Sequence, residues 1–382
     1  MKIYLYKFLD KSLGILFFVL KLTSFKRKLK YKEASKFNHL MIIKLAAMGD
    51  VLALLPTLKQ FHRLNPEFVI TLVTTTRSSP HLYSDFSWLN VIAVDGSVRG
   101  VFRLALSIIF YYSKRVDVIF NFDQYYRVSE LISLSCGRNA SFQTGRLGAF
   151  SDITVRYDPK LNEKLMFYKL FEKGIRSVYN LSIGPYEHIK VTDFFSGNSV
   201  ERKRCMHRIV HVAIYPGSSN NAKFRRWPPT KYIELINRLP SNWRITILGG
   251  PDEVGLVPIF QSISNNNIKI LINVMTLAET AKFLYDSVDI LVGNDGGLLH
   301  VADVLHIPTV AIFGPSLGCK WGPIQKNSKI VEVDHVDCRP CIKNYEGTVP
   351  QSCARSDTLC LQSVTCEMVE NEIIQLCEEV KC

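Results

Sequence analysis

The sequence lacks any apolar stretch long enough to cross a membrane as a helix. The longest uncharged run before Lys21 covers nine residues, Ser12 to Leu20, whereas a spanning helix needs about 20. No small-x-small cleavage site follows this run in the segment KLTSFKRK, which argues against a signal peptide. Internal repeats and low-complexity tracts are also absent. We therefore expect neither a transmembrane nor an exported nor a repeat protein.

Positive charge is abundant but unevenly distributed. The 382-residue chain has a formal net charge of +13, of which residues 1–37 carry +8 and the other 345 residues carry +5. Leucines recur at helical spacing in the same basic head, at Leu5, Leu9, Leu13, Leu16 and Leu20. This combination predicts a basic amphipathic segment over residues 1–38 that contacts anionic lipid. A solvated tail is the alternative.

The cysteines cluster near the end of the chain. Seven of the ten lie between Cys338 and Cys382. Without an export signal we expect a reducing compartment, where clustered thiols bind metal or stay free. Cys338, Cys341, Cys353 and Cys360 provide four thiols for a tetrahedral structural zinc site. Free structural thiols are the alternative.

Short apolar runs alternate with amphipathic helical segments from Leu40 onward, which indicates parallel sheets with right-handed crossovers. The length and the 47% hydrophobic content allow two domains. The predicted strands cover 41–46, 68–75, 91–95 and 116–122 in the first half, and 209–217, 243–250, 288–295 and 309–315 in the second half. Residues 160–205 are mixed and basic, and we interpret them as a linker. The sequence thus predicts an α/β protein with two doubly wound, Rossmann-like halves that face each other across a cleft.

The first predicted strand changes into a helix at Met48-Gly49-Asp50. Two interpretations are open for Asp50. It either caps the helix, or it presents a carboxylate to a substrate as a general base.

Loops of the second half contain residue types that bind phosphate and ribose. Ser218 and Ser219 offer hydroxyl and backbone donors, and Arg225 or Lys223 offers a positive charge. The turn GNDGGLLH combines Gly296 and Gly297 with the start of a helix, which is a site for anions. In the turn LGGPDE, Asp252 or Glu253 is a candidate for ribose hydroxyls. Taken singly, each turn also fits the ordinary connections of a parallel sheet, and Asp295 fits a helix cap.

The ordered set of motifs resembles one family. IKLAAMGDVLALLPTLKQF, YPGSSNNAKFRRWPP, ILGGPDE and VDILVGNDGGLLHVADVLHIPTVAIFGP are similar to successive motifs of the bacterial heptosyltransferases, glycosyltransferase family 9, which build the lipopolysaccharide core. The resemblance covers about Leu40 to Pro323. It implies a GT-B fold, inverting transfer from ADP-heptose and no metal or other cofactor in catalysis. The absence of any Asp-x-Asp pair, a common metal-binding motif in the other major glycosyltransferase architecture, agrees with this implication.

The resemblance also implies roles for individual residues. Asp50 of MGDV matches the family's proposed general base, and Arg225 falls where the family usually has a Lys that contacts the donor phosphates. Asp295, Gly297 and His300 match the motif D-S/T-G-x-x-H, in which Gly296 replaces the usual hydroxyl residue. Met275 falls where a related enzyme packs a side chain beside adenine. These donor-binding predictions accompany the others named above: Ser218, Ser219, Asp252 and Glu253.

We accordingly expect a membrane-associated transferase on the cytoplasmic face of the inner membrane. Its expected partners are a nucleotide-sugar donor, an anionic lipid-linked saccharide acceptor and the inner-leaflet surface, with no nucleic acid. The expected division is a membrane-contacting segment at 1–38, an acceptor domain at 39–195 with Arg127 and Ser129 as acceptor candidates, a donor domain at 206–335 and a Cys-rich tail and helix at 336–382. The alternatives are a nucleotide-sugar epimerase or hydrolase on the same fold, and a non-catalytic nucleotide-binding membrane protein.

Overall fold

The computed structural model describes residues 37–45, 47–95, 97–107, 115–124, 127–133, 138–144, 147–194, 209–263 and 267–381. Most of the predicted membrane-contacting segment, residues 1–36, lies outside the described residues, as do residues 195–205 of the predicted linker. Among the described helices, none combines the length and the apolar character that crossing a bilayer requires.

The chain divides into two compact units. The first unit comprises Met1–Asp158, Lys164–Tyr186 and Asn344–Gly347, and the second unit comprises Pro159–Glu163, Glu187–Lys343 and Thr348–Cys382. The sequence-based boundaries of functional domains stay a prediction.

The first unit contains a six-stranded sheet in the order β3-β2-β1-β4-β5-β6, with every neighbouring pair parallel. The two central strands are almost fully buried apolar runs, as expected for a sheet covered on both faces. The strands are β1 (His39–Ile43), β2 (Val69–Thr75), β3 (Asn90–Val94), β4 (Val118–Asn121), β5 (Asn139–Gln143) and β6 (Ile153–Arg156). The helices are α1 (Met48–Leu64), α2 (Val98–Ser107), α3 (Arg127–Ser133) and α4 (Glu163–Tyr179).

The second unit repeats this strand order in its own sheet, β12-β11-β10-β7-β8-β9, again with parallel neighbours. The strands are β7 (His211–Tyr215), β8 (Arg244–Gly249), β9 (Ile268–Ile272), β10 (Ile290–Asn294), β11 (Thr309–Ile312) and β12 (Ser328–Val331). The helices are α5 (Pro229–Arg238), α6 (Val257–Gln261), α7 (Leu277–Ser287), α8 (Gly297–Val304), α9 (Gly318–Trp321), α10 (Leu359–Gln362) and α11 (Cys366–Lys381). The last helix belongs to the core of this unit, because Val369, Ile373 and Leu376 are fully buried in it.

Each sheet reverses its strand order at one place, between β1 and β4 in the first unit and between β7 and β10 in the second. The loops that leave these two strands run in opposite directions, which opens a crevice at their carboxyl ends. Ligands of doubly wound sheets bind at such switch points. The structure thus confirms the predicted fold class of two doubly wound halves and directs attention to four loops.

One predicted connection is wrong. Residues 160–205 were expected to form a linker, but Glu163–Tyr179 forms the 17-residue helix α4 of that region. Phe167, Phe171 and Ile175 of α4 are fully buried. Gly174 lets the helix approach β4 closely, since a Cβ at this position would collide with the ring of Phe120. The segment is therefore a packed helix and not a solvated linker.

Candidate active site

Asp50 lies in the first turn of α1, after the loop that leaves β1. The N-cap of α1 is Ala47, which has an extended backbone and makes no side-chain cap, so the capping interpretation of Asp50 is wrong. Asp50 is the third residue of the helix, where the helix dipole favours a negative charge. Its Oδ2 lies 2.7 Å from Lys44 Nζ, and 13% of its side chain is exposed. The carboxylate is therefore held by a cation and still reaches the surface.

Lys44 connects Asp50 to the loop that follows β4. Lys44 is 1% exposed, and its Nζ donates to Asp123 Oδ1 at 3.2 Å and to Gln124 Oε1 at 3.1 Å. The backbone N–H of Leu45 donates to the same Asp123 oxygen at 3.2 Å. Burial raises the pKa of Asp123, and the charge of Lys44 opposes that rise. One buried ammonium thus lies between an accessible carboxylate and a fully buried one.

The predicted acceptor residues Arg127 and Ser129 lie in α3. Ser129 is fully buried, and its hydrogen bond favours the charged form of Asp123. Arg127 acts electrostatically on Glu130, whose carboxylate accepts a hydrogen bond from the backbone N–H of Gly148 at 2.8 Å. The structure therefore ties Ser129 to the cluster around Lys44. A contact of either residue with an acceptor stays a prediction.

In the second unit, Arg225 and Asp295 meet where β7 and β10 end. Arg225 Nη1 lies 3.3 Å from Asp295 Oδ2, and the Ser316 hydroxyl donates to the same oxygen. The N-cap of α8 is Gly296, so Asp295 does not cap the helix and instead holds the guanidinium group. Arg225 Nε is buried and finds no hydrogen-bond acceptor within the described residues. The guanidinium group therefore has a donor that the described residues leave unsatisfied.

The neighbouring Arg226 holds the surrounding loops together. Its Nη2 donates to the carbonyl oxygen of Ser218 at 2.6 Å, to the carbonyl oxygen of Asp252 at 3.1 Å and to Glu253 Oε1 at 2.9 Å. Glu253 is 3% exposed, and burial raises its pKa against the opposing charge of Arg226. The two adjacent arginines therefore differ in their contacts: Arg226 joins the loops after β7 and β8, and Arg225 pairs with Asp295 and keeps one unsatisfied donor.

Two further predicted donor-binding side chains are engaged by the protein. The Ser218 hydroxyl donates to the carbonyl oxygen of Ala222 at 2.9 Å. Asp252 accepts hydrogen bonds from the backbone and side chain of Asn220, at 2.9 and 2.8 Å. Ser219 is exposed. The ribose contacts expected in the turn LGGPDE stay predictions.

The remaining predicted residues lie at or near helix starts. Gly297 begins α8, and His300, which is 8% exposed, lies on the same helix. Met275 is half-buried between β9 and α7, next to Thr276, the N-cap of α7. The structure therefore gathers Arg225, Asp295 and the start of α8 at one switch point, while Met275 follows a strand two positions along the sheet from β7.

Sequence reasoning did not identify Asn294, the last residue of β10, which organises these loops. Asn294 is fully buried, and its Oδ1 accepts hydrogen bonds from the Trp227 backbone N–H and the Tyr232 hydroxyl, both at 2.9 Å. Its Nδ2 donates to the carbonyl oxygen of Gly217 at 3.2 Å. A polar amide that ends a buried strand was the available signal, because a buried amide needs partners from nearby loops.

The cysteine cluster lies in the second unit. Burial and the neighbouring Cys338 thiol raise the pKa of Cys341 to about 11, with smaller effects from Cys353 and Cys360. Within the described part of the chain, however, no three His, Cys, Asp or Glu side chains have the arrangement that a metal ion needs. None of the cysteines in the described part of the chain forms a disulfide bond. The zinc hypothesis stays a prediction, which elemental analysis of the purified protein tests.

Comparison with known proteins shows which family the chain resembles. Residues 195–348, which include all of the second switch point, match the family described as glycosyltransferase family 9 (heptosyltransferase). The chain is therefore similar to this family over that part of its length. It is 30% identical over 173 residues to lipooligosaccharide heptosyltransferase 2 of one Campylobacter jejuni strain, and 31% identical over 140 residues to that of another. These alignments cover 43% and 35% of the chain and about half the length of the relatives, 51% and 42%.

Solved structures extend the likeness of the fold over both units. The structure of Escherichia coli ADP-heptose lipopolysaccharide heptosyltransferase II superposes with a TM-score of 0.66 at 17% identity, covering 90% of this chain and 100% of that one. The E. coli heptosyltransferase WaaC with ADP gives a TM-score of 0.62 at 17% identity, covering 90% and 99%. The fold of this chain is therefore GT-B, as in these structures.

Proposed function

We propose that the protein is an inverting glycosyltransferase that transfers heptose from ADP-heptose to a lipopolysaccharide core or a related lipid-linked saccharide. One observation carries the proposal. The two switch points hold complementary chemistry: an accessible carboxylate at Asp50 in the first unit, and an arginine donor beside a helix N-terminus in the second. The similarity to heptosyltransferases supports the choice of sugar and nucleotide, which the similar E. coli enzyme has in its name.

The proposed reaction is a single displacement. The acceptor oxygen attacks the anomeric carbon of the donor and forms the new glycosidic bond, while its proton passes to the carboxylate of Asp50. The bond between the anomeric carbon and the β-phosphate oxygen breaks, and ADP leaves with the electron pair. Arg225 and the backbone N–H groups at the start of α8 stabilise the charge that develops on the leaving diphosphate. Attack from the side opposite the leaving group inverts the anomeric configuration.

The contacts of Lys44 suit this role of Asp50. A nearby ammonium favours the ionised form of a carboxylate, which a base must have before the reaction. A second carboxylate, Asp123, shares the same ammonium at 3.2 Å. Lys44 therefore holds the Asp50 carboxylate in place while it also pairs with Asp123. In this proposal the enzyme acts at the cytoplasmic face of the inner membrane, where the basic segment 1–38 contacts anionic lipid.

A nucleotide-sugar panel tests the proposed function. Purified protein is incubated with ADP-heptose, UDP-glucose or GDP-mannose, with and without heptose-free lipopolysaccharide core acceptor. We expect ADP-heptose alone to raise the unfolding temperature, because a ligand that binds only the native state stabilises it. Glycosylated acceptor should form only when ADP-heptose and acceptor are both present. Release of free heptose or of an epimer without acceptor would contradict the proposal and favour a hydrolase or an epimerase.

A further inference from the structure

Tyr215 occupies the space beside the turn that starts α8. It is the last residue of β7 and pairs in register with Gly293 of β10. A Cβ placed on Gly296 would lie 2.8 Å from Tyr215 Cε1 and 3.1 Å from the Tyr215 hydroxyl oxygen. Real Cβ atoms do not approach so closely, so the ring excludes any side chain at position 296. The hydroxyl of Tyr215 is thus found where a side chain of residue 296 would begin.

The Tyr215 side chain is largely buried, but the protein does not engage its hydroxyl. Tyr215 is only 8% exposed, and its hydroxyl makes no hydrogen bond to any side chain or backbone group of the described residues. Buried tyrosine hydroxyls usually have a partner. Burial also raises the pKa of Tyr215 above its ordinary value, so the group keeps its proton and can donate.

The charged groups around Tyr215 already have partners of their own. Glu253 is paired with Arg226 at 2.9 Å, and Asp295 is paired with Arg225 at 3.3 Å. The third carboxylate that acts on Tyr215, Asp252, accepts two hydrogen bonds from Asn220. Each acid near the hydroxyl is therefore compensated. The Tyr215 hydroxyl and Arg225 Nε are thus side-chain donors near the start of α8 that have no acceptor among the described residues.

We propose that the Tyr215 hydroxyl donates a hydrogen bond to a phosphate oxygen of the nucleotide-sugar diphosphate bound at the start of α8. The inference rests on the proposed function and adds a binding residue to it. It also explains position 296, where the resemblance led us to expect Ser or Thr. The chain supplies the hydroxyl from the end of β7, and this arrangement requires glycine at 296.

Tyr215→Phe tests the proposal, with binding of ADP and of adenosine measured by calorimetry. We expect ADP to bind about tenfold to a hundredfold more weakly, the range for a lost hydrogen bond to a charged group. Adenosine, which lacks phosphates, should bind equally well to the variant and the wild type. The variant should unfold at the wild-type temperature, because the hydroxyl has no protein partner to lose. The matched control, Tyr285→Phe, removes a hydroxyl from another buried tyrosine of the second unit and should leave ADP binding unchanged.

A double variant tests whether a hydroxyl at position 296 can replace the hydroxyl at position 215. Tyr215→Leu should weaken ADP binding as Tyr215→Phe does, and adding Gly296→Ser to it should recover affinity to within a few-fold of wild type. Wild-type ADP affinity in Tyr215→Phe would overturn the proposal, as would equal losses for ADP and adenosine.

The wild type is also tested with UDP and GDP. If it bound one of these in place of ADP, the proposed donor would be wrong, and Tyr215→Phe would be judged on that nucleotide. Binding of no nucleoside diphosphate would overturn both proposals.

Discussion

Replacing Asp50 by Asn is expected to slow transfer by about 10²- to 10⁴-fold, the range for loss of a general base. The amide keeps the size of the side chain but cannot accept the acceptor's proton. Binding of ADP should stay at the wild-type level, because the donor-binding residues lie in the second unit. The measurement is the rate of acceptor glycosylation at saturating ADP-heptose, together with the affinity for ADP.

A control at an equivalent helix position separates catalysis from helix stability. Glu279 is the third residue of α7, as Asp50 is of α1, and it belongs to the capping box with Thr276. Glu279→Gln also removes a negative charge from a helix N-terminus, so it should lower stability slightly and leave the transfer rate unchanged. If Asp50→Asn turned over at the wild-type rate, Asp50 would have no part in the chemistry.

Replacing Lys44 by Met is expected to destabilise the protein by about 3–5 kcal/mol, the usual cost of breaking a buried ion pair from one side. Asp123 is fully buried and would lose the cation that opposes the rise of its pKa. The unfolded chain releases the Asp123 proton near pH 3.8, whereas the folded variant holds it to higher pH. The pKa of Asp123 is already raised in the folded wild type and should be raised further in the variant, so the loss relative to wild type should grow as the pH rises through the range in which wild-type Asp123 releases its proton. Urea unfolding at several pH values measures this.

The double variant Lys44→Met/Asp123→Asn tests whether the unpaired charge of Asp123 causes the loss of stability. Asn keeps an oxygen for the Leu45 N–H but carries no charge, so the double variant should be more stable than Lys44→Met alone and should lose the added pH dependence. Lys282→Met is the surface control. Its ion pair with Asp286 is largely exposed, and the change should cost less than about 1 kcal/mol. A pH-independent loss in Lys44→Met would mean that packing, not charge, explains the effect.

Local hydrophobic patterns in the sequence predicted most of the fold. Buried apolar runs identified the central strands β1, β4, β7 and β10 to within a few residues, since strands covered on both faces are continuously hydrophobic. The edge strand β6 escaped notice because its residues are only partly buried. In α4, Lys164, Lys169 and Lys173 lie between the buried aromatic residues, and this mixture made a packed helix resemble a basic linker.

The candidate site was predictable only where one loop contains the signal. Asp50 and Arg225 each follow a strand and belong to a recognisable motif. Lys44 and Asp123 are 79 positions apart and meet because β1 and β4 are neighbours, a pairing that no local pattern gives. Tyr215 was missed for the same reason, because its relation to Gly296 depends on β7 pairing with β10. A lysine within an apolar run, as in MIIKLA, was the one local hint of a buried charge.

The anomeric configuration of the product tests the account most directly. Acceptor glycosylated by the purified enzyme from ADP-heptose is analysed by NMR, and the configuration of the new bond is compared with that of the donor. A lone base at Asp50 with direct attack by the acceptor predicts a product of opposite configuration. A product that keeps the donor's configuration would require a different course at the anomeric carbon and would contradict the mechanism.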